Sequence, residues 1–130
     1  RRRHSFPTRR SSDLINTGGL AVKNATLMQI YADVLNRPMK VSRSEQTCAL
    51  GAALFAGVAA GIYPNVAAGQ EKLCGVRDVV YYPIPAHVAI YAELYELYLT
   101  LHDAFGTATW SGQINPVMKR LLDLRQQHRK

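Results

Sequence analysis

In this chain of 130 residues the spacing that most invites chemistry is Gly18-Gly19, placed shortly before Asn24. Paired glycines admit positive φ and let the backbone approach another group closely. A turn of exposed amides leading into a helix suits phosphate or ribose oxygens. The motif is neither GxGxxG nor a P-loop, and a plain strand-to-helix turn would carry the same two glycines.

Other chemistries find less support. His4, His87, His102 and His128 are scattered without ligand spacing, so no metal site is expected. His102-Asp103 reads as a surface pair. Asp33 and Glu45 are isolated carboxylates, and Asp33 reads as a salt-bridge partner or a solvent-facing residue. No Ser/His/Asp or Cys/His arrangement stands out, so no catalytic residue is assigned. Tyr91, Tyr95 and Tyr98 fall at helical spacing and read as a packing face. Cys48 and Cys74 form no CxxC. Cys48 reads as a small core residue, and low cysteine use fits a reducing, cytoplasmic setting.

The formal charge of +7 would suit an acidic partner, but it is unevenly placed. Residues 1–13 hold five arginines against Asp13 alone, while residues 14–130 hold eleven basic and eight acidic residues. A nucleic-acid surface therefore rests almost wholly on the first segment, and none is expected. That segment, RRRHSFPTRRSSD, lacks hydrophobic periodicity and an amphipathic face. Together with Leu14 it is set aside, as residues 1–14, as a non-native or disordered basic stretch resembling a translated sequencing adapter. The uncharged run Cys48–Tyr63 is 16 residues long, short of the roughly 20 that cross a bilayer. It reads as a closely packed buried helix, with no membrane partner.

Elements to position these residues can be read from periodicity and punctuation. Leu14-Ile15 looks like the end of a strand, and Asn16 to Gly19 like a turn. A helix capped by Asn24 follows, with Leu27, Met28, Ile30, Tyr31, Val34 and Leu35 at helical spacing, ended by Asn36 and Pro38. Met39-Lys40-Val41 reads as a short strand. Ser44-x-x-Thr47 opens a slim Ala/Gly helix to about Ala60, with Glu45 in its first turn. Val66 to Leu73 gives a weaker helix and Val79 to Tyr82 a strand. Pro85 starts a long helix through about Phe105, and Pro116 lies in the first turn of a last one. The result is α/β with too few strands to close a sheet, which suggests an incomplete domain.

The stretch Gly18–Pro64 resembles the C-terminal domain of the FGGY carbohydrate kinases. The matching motifs are Gly18-Gly19, Met28-Gln29-Ile30-Tyr31-Ala32-Asp33, Met39-Lys40-Val41, Glu45 and Ala49-Leu50-Gly51-Ala52-Ala53. Within that family YADVLNRP and SRSEQTCALGAA are most similar to the members acting on L-ribulose, and Val80–Gly106 resembles their C-terminal helical region.

The resemblance implies part of an actin-like ATPase (ribonuclease H-like) domain, the C-terminal half of an FGGY kinase, with added C-terminal helices. It divides the chain into a partial kinase domain at 15–106 and a loop and helix at 107–130. A parent enzyme would move the γ-phosphoryl group of ATP to a ketopentose with Mg2+, while the chain alone would be inactive without its N-terminal domain and catalytic aspartate. Gly18 and Gly19 would lie against the nucleotide phosphates and ribose, with Lys23 and Asn24 near the adenine; no metal ligand is implied. Another FGGY kinase, for xylulose, glycerol or a similar polyol, and a non-catalytic interaction module are the alternatives. A homo-oligomer stays open.

Overall fold

The computed structural model describes residues 14–129; the basic stretch set aside above lies, except for Leu14, outside the described residues. The chain divides into two compact units, one running to Pro83 and one starting at Ile84.

The first unit is built on a three-stranded sheet in the order β1-β2-β3, from β1 (Leu14–Asn16), β2 (Met39–Ser42) and β3 (Val76–Tyr81). β1 and β2 run parallel, with Ile15 opposite Lys40, and β3 is antiparallel to β2. Between β1 and β2 come α1 (Gly19–Lys23) and α2 (Ala25–Leu35). The α2 boundaries follow local chemistry. Asn24 Oδ1 accepts from Leu27 N at 2.9 Å, giving one orphan amide of the first turn a partner. At the other end Asn36 sits in the left-handed region at φ 49°, ψ 45°, and Arg37 N reaches back to Ala32 O. Pro38 then bars continuation.

Alternation along a strand decides which face meets these helices. Met39 and Val41 join Ala21 of α1 and Met28 and Ala32 of α2 in the hydrophobic core. Asn16 lies on the same side, its Nδ2 3.2 Å from Met28 Sδ. Asp33 belongs to this layer too: it is 1% exposed and its Oδ1 accepts from Gln29 Nε2 at 2.9 Å. The same Nε2 donates to Tyr82 O at 2.8 Å, tying α2 to the end of β3. Asp33 is thus not solvent-facing but buried and hydrogen-bonded, as a carboxylate inside a protein must be.

From β2 the chain passes through α3 (Thr47–Ala59) and α4 (Val66–Leu73) before β3. These two helices pack through missing side chains. A Cβ at Gly69 would stand 2.3 Å from Leu54 Cδ1, and one at Gly57 2.9 Å from the Tyr63 ring. Lys72 Nζ lies 5.9 Å from the centre of that ring.

Two expectations for α3 fail. Only Leu54 and Gly57 are buried, and Cys48 is exposed, so this is not a closely packed core helix. Its composition is apolar all round and points no single stripe at the sheet, and composition alone cannot supply a neighbour. Glu45 also lies before the first turn, because the helix starts at Thr47 behind Gln46. Ser44 Oγ accepts from Gln46 N rather than capping the helix itself.

The second unit pairs α5 (Pro85–Gly106) with α6 (Asn115–Gln127). Proline stands in the first turn of each, where its missing N–H costs nothing. Val117 and Leu124 of α6 are buried, and Arg120 forms an ion pair with Glu93. That hydrogen bond and charge raise the Arg120 guanidinium above its ordinary range. Tyr95 and Tyr98 stack at 6.0 Å yet stay exposed, so they form no buried packing face within this unit. His102 Nδ1 sits 3.1 Å from Asp103 Oδ1, the surface pair expected. No helix among the described residues is long and apolar enough to cross a membrane.

Candidate functional site

In open α/β sheets ligands gather beyond the carboxyl ends of the parallel strands. Here that edge holds the turn after β1 and the Arg43–Gln46 link after β2. Gly18 caps α1 with φ 95° and ψ 167°, a backbone region that in practice only glycine occupies. A Cβ built on Gly18 or on Gly19 meets nothing within 4 Å. The glycines are therefore not there to admit a neighbour in this unit; Gly18 is required by the backbone, and open space lies over both.

Lys23 ends α1 and Asn24 opens α2, and both are exposed. Asn24 spends its carbonyl oxygen on the helix. The four residues singled out from sequence thus line one continuous segment, Gly18 to Asn24, along the α1–α2 junction. The short helix α1, which places Lys23 one turn from the glycines, was not anticipated: five residues carry no hydrophobic period to read.

A second feature was not legible at all. A cavity of about 570 Å3 opens on the sheet face opposite α1 and α2. Ile15, Ser42 and Val76 contribute from the sheet, and Gly51, Leu54 and Cys74 from the α3–α4 layer. Thr17 lies on its border, next to Gly18, whereas Gly18, Gly19, Lys23 and Asn24 do not line it. Its hydroxyls are partly spoken for: Ser42 Oγ donates to Ser44 O at 2.9 Å, and Ser44 Oγ accepts from Gln46 N. The lining is mainly apolar. No signal for it exists in the sequence, because its walls come from five separate stretches between residues 15 and 76.

Among the described residues no three His, Cys, Asp or Glu side chains cluster as a metal site. Asp33, the carboxylate nearest in sequence to the glycine turn among the described residues, is buried against Gln29.

The parallel β1-β2 pair with its glycine turn and capped helix is that of an actin-like ATPase domain from a sugar kinase. The chain superposes with a TM-score of 0.65 on the ligand-bound xylulose kinase from Lactobacillus acidophilus, at 25% identity over 79% of this chain and 20% of that one. Residues 8–60 match the FGGY family of carbohydrate kinases, C-terminal domain. The ribulokinase of Halalkalibacterium halodurans is 51% identical over 90% of this chain and 21% of its own length. That of Geobacillus thermodenitrificans is 48% identical over 84% of this chain and 19% of its own. The chain belongs to the FGGY family of carbohydrate kinases, and it spans about a fifth of the length of the curated relatives it matches.

Proposed function

We propose that this chain serves as part of an ATP-dependent kinase that phosphorylates L-ribulose. The observation that carries the reading is the Gly18-Gly19 turn. Gly18 is held at φ 95° beyond the end of β1, with open space at both glycines, in a chain 51% identical to a ribulokinase. Open space beside a bare backbone is what a nucleotide's phosphates and ribose need in order to reach amide donors.

Lys23 and Asn24, one helical turn further on, face the adenine side of the nucleotide. Asn24 Oδ1 is committed to Leu27 N, which leaves its NH2 as the group for a ring acceptor. Phosphoryl transfer depends on position and charge neutralisation more than on covalent chemistry by the protein. Mg2+ supplies that neutralisation when bound to the nucleotide. Among the described residues no three His, Cys, Asp or Glu side chains cluster to hold it directly. The burial of Asp33 against Gln29 speaks against it as the base on the sugar hydroxyl, and we assign that base to the remainder of the kinase.

The test is a graft. Residues 15–130 replace the matching stretch of the Halalkalibacterium halodurans ribulokinase, and ATP-dependent phosphorylation of L-ribulose, D-xylulose and glycerol is measured. The expected result is turnover of L-ribulose ahead of the other two, lost when Gly18→Val fills the open space. A folded graft that prefers D-xylulose or glycerol replaces this reading with another kinase of the family. A folded and inactive one favours a non-catalytic module.

A further inference from the structure

We propose that the cavity face of the sheet, bounded by β1, α3 and Cys74, is the docking surface for the remaining polypeptide of the kinase. The proposal rests on the kinase reading above. One face of the sheet is closed by α1 and α2 around Met39 and Val41. The other holds Ile15, which is half exposed, and a cavity of about 570 Å3 walled also by α3. Protein interiors are close-packed, and an open apolar hollow of that size beside the sheet gives room for an occupant.

The chemistry of the walls says what kind. Ser42 and Ser44 hydroxyls are engaged with local backbone, and although Thr17, Thr47 and Gln70 also border the cavity, most of its exposed lining is apolar and suits side chains rather than a polar metabolite. Ala49, Ala52, Ala53 and Ala56 of α3 are exposed, a small-residue surface that lets another backbone come close. β1 is paired only on its β2 side among the described residues, which leaves a strand edge beside the cavity for main-chain pairing. The occupant is a polypeptide with a strand and apolar side chains. The relatives, of which this chain spans about a fifth, have about four fifths of their length available to provide it.

Two features of the chain make the surface testable. Cys74 lines the cavity, while Cys48, also free and exposed, does not. Gly51 borders the cavity with nothing within 4 Å of its would-be Cβ. Gly51→Phe therefore has room for its Cβ and puts a ring at the cavity wall, and it replaces the poorest helix former short of proline.

The full chain is mixed with a separately produced first four fifths of the Halalkalibacterium halodurans ribulokinase, and alkylation of both cysteines by N-ethylmaleimide is followed by mass spectrometry. Cys74 should slow by about tenfold or more on mixing while Cys48 holds its rate, since thiol reactivity follows access. Gly51→Phe, checked by its circular-dichroism melt, should abolish that protection; Gly51→Leu takes its place if the larger ring unfolds the chain. Unchanged Cys74 labelling overturns the proposal, as does equal protection in a folded Gly51 variant. Protection that grows as the chain alone is concentrated assigns the face to a second copy and overturns it too. So does faster Cys74 labelling of the chain alone once residues 1–13 are removed, which would make that segment the cover. Because the readout is thiol access, a protected Cys74 with an inactive graft sinks the kinase reading and leaves the surface. An active graft with an unprotected Cys74 does the reverse.

Discussion

The two faces of the β1-β2-β3 sheet are made by alternate residues of the same strands, yet they end in opposite states. On one, Met28, Ala32, Met39 and Val41 are at most 5% exposed. On the other, Ile15 is 50% exposed and Ser42 and Val76 border a cavity. On the closed face α1 and α2, which join β1 to β2, set Ala21, Met28 and Ala32 against Met39 and Val41. On the open face α3 and α4 help wall the cavity, and they pack on each other through Gly57, Gly69 and Tyr63. Both helix pairs join consecutive strands, so nearness in sequence does not separate the faces; one pair packs on the sheet and the other on itself.

The largest effect should come from the closed face. Met28→Ala removes a side chain 1% exposed and should cost about 2–5 kcal/mol in urea melts followed by circular dichroism. A loss near zero would mean that the closed face is no better packed than the open one. Next comes the polar tie across the same layer. Gln29→Ala deprives buried Asp33 and Tyr82 O of a donor, and should cost about 1–3 kcal/mol. Hydrogen exchange at β3 amides should quicken with it.

On the open side the expected effects are smaller and carry more information. Gly69→Ala pushes a methyl group to 2.3 Å from Leu54 Cδ1, against a gain of about 1 kcal/mol in helix propensity. A net loss of about 1 kcal/mol is expected, and it should shrink when Leu54→Ala is combined with it. Full stability of the single variant would show Leu54 swinging into the cavity, evidence that the space beside it is free. Smallest of all, Ile15→Ala on the cavity side should change stability by under about 0.5 kcal/mol. A loss as large as that of Met28→Ala would reveal the open face to be closed in solution.

Much of the fold could be read in advance where local chemistry decides the outcome. Asn24 as a cap, Asn36 and Pro38 as a stop, and prolines in the first turns of α5 and α6 act through their own or immediately neighbouring backbone, and all stand where expected. The short strand at Met39 does as well. Errors arose where local signals were thin. α1 is too short for a period, β3 begins at Val76 rather than Val79, and α3 excludes Glu45 from its first turn. The site divides in the same way. Gly18 was legible because one backbone conformation requires that one residue type, whereas the cavity was invisible because its walls are far apart in sequence.

By itself, then, the sequence determined the residue types that tolerate only one local conformation, and through its motifs the family. Tertiary structure alone decided which apolar residues become core. Ala32 and Ala53 are the same residue on helices of similar length, one buried and the other exposed. Nothing in either side chain distinguishes them, because burial belongs to the surface a residue meets and not to the residue.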